Sequence, residues 1–212
     1  AFTGSTGAGR AIAEACGRLL RPVTLELGGK SAAIILDDVN LDSLLAGLPA
    51  VSMLNNGQTC NSCTRLLVPS SRYAEIVDGI ADLAKSFVVG DALDPATQVG
   101  PLASAIHRDR VESYIAIGKT EARLVAGGGR PVLGGKGWFV QPTVFADVSN
   151  SAIIAREEIF GPVLSIIRYT DEAEALRIAN DSDYGLGGSV WSTGPERATK
   201  LARLVESGSI GI

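Results

Sequence analysis

The 212-residue chain has only three cysteines, and three cannot all pair, so a disulfide framework is excluded. Histidine is scarcer still. A four-ligand zinc site would have to recruit Cys16, Cys60, Cys63 and the single His107, and only Cys60 and Cys63 stand at a ligand-like spacing, so a metal centre is not expected. There is no excess of basic residues either: 19 Lys and Arg stand against 23 Asp and Glu, and the cations are scattered between acids. That pattern gives nucleic acid no electrostatic footprint. No apolar run approaches the roughly 20 residues that cross a bilayer. The first residues, AFTGSTGAGR, lack the charged start, apolar middle and cleavage site of a signal peptide, so a cytosolic protein is the expectation. Repeats and low-complexity linkers are absent as well. What remains, 46% hydrophobic and 20% charged residues, suits a soluble globular chain that buries a substantial core. Both ends read as cut, since Ala1-Phe2-Thr3 resembles the end of a strand and Ile212 closes the chain within another.

Helical and strand signals alternate along the chain. Residues 7–20 carry apolar side chains at Ile12, Ala15, Cys16, Leu19 and Leu20, a helical stripe that Pro22 stops. VTLEL (23–27) and AAIIL (32–36) read as strands, the second buried, and 41–54 as a helix prepared by Asn40 and Asp42. RLLV is a strand, 70–87 a long amphipathic helix, and 104–118 another after the loop GDALDPATQVGP. ARLVAGG returns to strand, and WFVQPTVF, with Pro142 inside an apolar run, reads as an edge or irregular strand. VLSIIRY, GGSVW and GSIGI are strands, separated by helices over 171–180 and 195–206. Helices alternating with continuous apolar strands predict an α/β fold, a largely parallel sheet with helices on both faces.

Several stretches could carry chemistry. GSTGAG (4–9) lies between a strand end and a helix, where free N–H groups and the helix dipole can hold a phosphate, although any tightly packed α/β turn also needs glycine. Glu26, in VTLELGG, should lie at the carboxyl end of a buried strand beside two glycines that admit another group; it is a candidate general base or a structural ion-pair partner. In NNGQTCNSCTR (55–65), Cys60 and Cys63 follow a helix and precede a strand. A thioredoxin-type pair wants the opposite order, with the first thiol at a helix N-terminus. A single nucleophilic thiolate on the turn allowed by Gly57 fits better, and two small buried hydrophobes fit too. His107 lies in a charged helix start and reads as a solvated surface residue. Glu157-Glu158-Ile159-Phe160-Gly161-Pro162 mixes charge, aromatic and turn residues as a binding loop does, or as a surface loop with incidental acids does.

FTGST, VTLELGGKS, NNGQTC, GPL, GWFVQPTVF, EEIFGPV and ANDSDYGLGGSVW, in this order and spacing, resemble the NAD(P)-dependent aldehyde dehydrogenase superfamily over nearly the whole chain. The resemblance implies oxidation of an aldehyde to a carboxylic acid with NAD or NADP. It makes Cys60 the nucleophile that forms a thiohemiacetal and then a thioester, and Glu26 the base that activates water. It also implies that Gly4 and Ser5 touch the dinucleotide phosphates, Leu27 the nicotinamide carboxamide and Glu158 the nicotinamide ribose, with Phe160 packing nearby. Family members are more than twice this length. Residues 1–29 are therefore expected to be the C-terminal remnant of a Rossmann-type cofactor domain, and 30–212 a catalytic domain truncated at its C-terminus, from a homo-oligomeric parent. Three alternatives stand beside this reading: a catalytically silent fragment, a CoA-acylating enzyme, which commonly lacks the base that Glu26 matches, and a CxxC redox module.

Overall fold

A computed structural model describes residues 1–133 and 135–212. Its elements run β1 (Phe2–Thr3), α1 (Thr6–Arg18), β2 (Leu25–Glu26), β3 (Ala32–Ile35), α2 (Leu41–Ser52), β4 (Arg65–Pro69), α3 (Tyr73–Ser86) and α4 (Ala105–Glu121). They continue as β5 (Arg123–Ala126), β6 (Thr143–Ala146), α5 (Ile153–Arg156), β7 (Val163–Tyr169), α6 (Glu172–Asn180), β8 (Gly187–Trp191), α7 (Pro195–Ala202) and β9 (Ser209–Gly211). Seven strands form one sheet in the order β5-β6-β7-β4-β3-β8-β9, and β1 and β2 pair in a separate ribbon. Every pairing is parallel except β5 with β6.

Period-two alternation explains why both faces are covered. On β3, Ala32 and Ile34 join the core built with Val111 and Ile115 of α4 and Ala198 and Leu201 of α7. Ala33 and Ile35 point the other way, to Leu44 and Leu48 of α2 and Ile76 and Ile80 of α3. A strand buried on both sides must be apolar at every position, which is why the parallel strands read as unbroken runs. The helices start where side-chain acceptors stand ready: Asn40 caps Ser43 N–H, Ser104 caps His107 N–H and Asp171 caps Glu174 N–H. Arg65, at the head of β4 and 2% exposed, ties distant segments together. It donates to the carbonyls of Lys30, Ile178 and Ala179 and to Asn150 Oδ1, at 2.9–3.0 Å. Burial, with Arg156 adding repulsion, lowers its pKa to about 10, so it stays charged at neutral pH.

The sequence reading needs three corrections here. VTLEL pairs only over Leu25–Glu26, and Glu26 is exposed rather than at the end of a buried strand. WFVQPTVF contributes β6 only after Pro142, and β6 is an interior strand between β5 and β7. Proline, which has no N–H to give, stays outside the ladder instead of forcing an edge. The four-residue α5 was not foreseen; it is too short to show a helical period.

Candidate active site

The stretch NNGQTC owes its shape to three consecutive residues in the left-handed region. Asn55, Asn56 and Gly57 have φ of 52°, 59° and 73°. Asparagine tolerates this conformation better than most side chains, and glycine adopts it freely. The turn ends α2 and throws Cys60 onto a loop ahead of β4. Its own side chains lock it: Asn56 Nδ2 donates to Pro101 O (3.2 Å), while Asn56 Oδ1 accepts from Gly100 N–H (2.9 Å) and Gln58 Oε1 from Ala103 N–H (3.0 Å). Gly57 lies so close to the Gly161 carbonyl that no Cβ fits between them. One turn therefore binds both the GPL loop and EEIFGPV.

Glu26 to Gly29 forms the opposite wall. Gly29 packs directly on the Cys60 carbonyl, again leaving no room for a side chain. Gly28 faces the Glu158 carboxylate equally closely, and Glu158 Oε1 accepts from Gly29 N–H at 3.1 Å. Upstream, Gly4 N–H donates to the Glu26 carbonyl (3.0 Å), and the Leu27 side chain lies against Gly9 of α1. Ser5 caps that helix, its Oγ accepting from Ala8 N–H at 3.3 Å. Two segments remote in sequence, the Cys60 turn and the Glu158 loop, thus meet at the Gly28–Gly29 backbone, and the start of α1 packs beside them on Glu26 and Leu27. All seven positions singled out from the sequence, Gly4, Ser5, Glu26, Leu27, Cys60, Glu158 and Phe160, belong to these segments or flank them.

The two thiols of the CxxC stretch have different surroundings. Cys63 is 3% exposed, faces Ser189 Oγ at 3.6 Å, and burial pushes its pKa up. It is a core residue. Cys60 is half-buried on the turn, and its N–H makes no hydrogen bond among the described residues, so that donor is available to an incoming oxygen.

Several contacts escaped the sequence reading. The Glu157–Phe160 loop is gripped by α4: Tyr114 Oη donates to Glu157 Oε2 (2.6 Å), and Arg110 Nη2 to the Glu158 carbonyl (2.8 Å). Burial and the Glu157 contact push the Tyr114 pKa up to about 12, so it remains a donor. His107 is not a free surface residue. Its Nε2–H donates to the Phe160 carbonyl (2.6 Å) and its ring meets the Phe160 ring edge-on at 5.9 Å, at a residue whose φ is 63°. Helix spacing, His107, Arg110 and Tyr114 on one side of α4, was the available signal. Lys30 is buried, which its position after two glycines hinted at only weakly.

Comparison with known proteins shows the family to which the chain belongs. The aldehyde dehydrogenase family model matches residues 1–212, and the chain belongs to that family. A geranial dehydrogenase of Castellaniella defragrans is 66% identical across the whole chain, which spans 44% of that relative. A betaine aldehyde dehydrogenase of Rhizobium etli is 44% identical, again with 44% of its length covered. Among solved structures, an aldehyde dehydrogenase of Mycobacterium tuberculosis complexed with NAD+ superposes with a TM-score of 0.97 at 51% identity, covering all of this chain and 44% of that one. An NAD+ complex of the Bacillus cereus enzyme gives 0.95 at 38% identity, covering all of this chain and 43% of that one. The chain thus spans less than half the length of the relatives it matches.

Proposed function

We propose that the complete protein oxidises an aldehyde to its carboxylic acid with NAD(P)+, Cys60 acting as nucleophile and Glu26 as general base. The meeting of the Cys60 turn and the Glu158 loop on Gly28–Gly29 is the observation that carries this reading. The Cys60 thiolate adds to the aldehyde carbon, and the new oxyanion is received by the Cys60 N–H. When bound, NAD(P)+ supplies the oxidant, taking the hydrogen and two electrons that leave this carbon as the thiohemiacetal becomes a thioester. Glu26 then takes a proton from water, whose oxygen attacks the thioester; the acid departs and the thiolate returns. The residues present suit the dinucleotide. Bare glycine backbone lies beside Glu158 for the nicotinamide riboside, with Leu27 and Phe160 flanking it, and the exposed Gly4–Ser5 turn opens the 13-residue α1 for phosphate. Residues 1–29 are then cofactor domain and 30–212 catalytic domain. Labelling with an electrophilic thiol probe followed by peptide mass spectrometry tests the nucleophile. Cys60 is expected to react ahead of both Cys16 and Cys63; equal or slower labelling of Cys60 would favour the catalytically silent fragment.

The substrate is proposed to be a neutral aldehyde with a hydrocarbon body. Next to the Cys60 turn opens a cavity of about 220 Å³ lined by Ala50, Val51, Leu54, Thr59, Asn61 and Cys63 together with serines and glycines, including Ser62, Ser189 and Ser209, and without a charged or aromatic side chain among the described residues. Recognition of a quaternary ammonium draws on aromatic faces or carboxylates. The higher identity to the geranial dehydrogenase than to the betaine aldehyde dehydrogenase points the same way. Geranial is expected to give the higher kcat/KM of the two aldehydes, by about tenfold or more. A preference for betaine aldehyde would overturn the assignment.

A further inference from the structure

Arg65 heads β4, the strand into which the Cys60 turn leads, and it is buried with no ion pair among the described residues. Taking a cation out of water without a counter-charge is a heavy cost, and an apolar side chain would fill the same space with less of it. What the guanidinium gains is a set of neutral acceptors from segments distant in sequence. Its Nε donates to the Lys30 carbonyl (2.9 Å), while the Arg65 backbone N–H donates to the Ser31 carbonyl (3.2 Å). Lys30 and Ser31 directly follow Gly29, which packs on the Cys60 carbonyl and whose N–H holds Glu158 Oε1. In the other direction, Nη1 and Nη2 donate to the carbonyls of Ile178 and Ala179 (both 2.9 Å), in the last turn of α6, where carbonyls lack a partner within the helix. Nη1 also reaches Asn150 Oδ1 at 3.0 Å. Asn150 Nδ2 in turn donates to the Asp181 carboxylate (2.8 Å), whose other oxygen accepts from Arg156 Nη1 (3.0 Å). Arg156 is the last residue of α5 and immediately precedes Glu157 and Glu158. A continuous chain of hydrogen bonds therefore joins the Cys60 segment to the root of the Glu158 loop, and its hub also grips the strand after Gly29.

We propose that Arg65 is a positioning residue for aldehyde oxidation, its guanidinium fork fixing the spacing between the Cys60 turn, the Gly28–Gly29 backbone and the Glu158 loop. This rests on the reading of Cys60 as nucleophile and Glu158 as cofactor ligand. A guanidinium suits the task because its donors lie in one rigid plane, so that moving one acceptor strains the bonds to the others. A lysine ammonium keeps the charge but has no such frame. The spacing matters because a displacement of about 1 Å between reacting groups is enough to cost roughly a hundredfold in rate.

The test compares Arg65→Lys and Asn150→Ala with Arg197→Met in the complete protein. Arg197 is a hub of the same kind beyond the opposite end of β3, bonded to Asp37 and Glu172, and serves as the control for loss of a structural network. Each variant is characterised by its melting temperature, its NAD+ affinity by calorimetry, and its single-turnover rate at saturating aldehyde and NAD+, the last two well below the melting range. All three should melt below wild type. Arg65→Lys is expected to lose roughly tenfold to a hundredfold in single-turnover rate. Asn150→Ala, which cuts only the arm toward the Glu158 loop, should bind NAD+ roughly threefold to tenfold more weakly, the worth of about one hydrogen bond. Arg197→Met should keep the wild-type rate and affinity. A merely structural role moves the melting temperature alone, so a wild-type rate in Arg65→Lys, or wild-type affinity in Asn150→Ala, overturns the proposal. Losses of rate or affinity in Arg197→Met equal to those of the other two would overturn it as well, since they would mark a general loosening. Asn150→Ala carries the comparison should Arg65→Lys not fold. Cys60→Ala is assayed alongside: wild-type turnover there would remove the reading of the site and this proposal with it, whereas an inactive Cys60→Ala beside unimpaired Arg65→Lys overturns the role of Arg65 alone.

Discussion

Cys60→Ala should reduce aldehyde oxidation by the complete protein at least a thousandfold, with NAD+ affinity close to wild type. The magnitude follows from removing the group proposed to bond covalently to the substrate; losses of about this order or more accompany deletion of a nucleophile. Retained affinity follows from geometry, because Gly29 meets the Cys60 carbonyl and not its side chain, so the Gly28–Gly29 wall and Glu158 are undisturbed. Cys63→Ala is the control. Its thiol is buried against Ser189, so the cost should fall on stability, about 1–2 kcal/mol for a small cavity, and not on turnover. Steady-state rates with calorimetry on the same preparations decide the matter. Substantial turnover in Cys60→Ala, or a thousandfold loss in Cys63→Ala, would remove Cys60 from the nucleophile's role. A loss in both variants beside intact NAD+ binding would revive the idea that the two thiols act as a pair.

The expected α/β sheet was readable because burial on two faces leaves no freedom. Ala32-Ala33-Ile34-Ile35 must be apolar throughout to serve one core with its even residues and another with its odd ones. The Cys60 turn was equally readable, since Asn-Asn-Gly is what three successive left-handed residues call for. Glu26 was harder. Its apolar neighbours mimic a buried strand, but only two residues pair, with a two-residue partner, so the carboxylate stays exposed. Lys30 was not singled out, because lysine is seldom found inside. The contact of His107 with Phe160 spans 53 residues, and local patterns do not report on such distances. Propensity shows what a segment prefers; the burial of a charge or the grip of one loop on another is decided by tertiary packing.

Glu26→Gln should leave acylation of Cys60 largely intact and slow release of the acid by roughly a hundredfold to ten-thousandfold, the contribution of a positioned base. Glutamine keeps the shape and the hydrogen-bonding reach of the side chain but cannot take a proton from water. The backbone at this position bonds through its carbonyl to Gly4 N–H, a contact indifferent to the side chain, so the wall beside Cys60 should persist. Quenching a single turnover with acid and weighing the Cys60 peptide should reveal the acyl group as added mass in Glu26→Gln and only traces of it in wild type. Hydroxylamine, which attacks thioesters without a base, should restore release. Turnover within a few-fold of wild type, with no acylated Cys60, would assign the proton to another group. Adding coenzyme A to the same trapped species separates hydrolysis from acyl transfer: a hydrolytic enzyme should retain its acyl-Cys60, whereas an acylating one should discharge it to the thiol whatever residue stands at position 26.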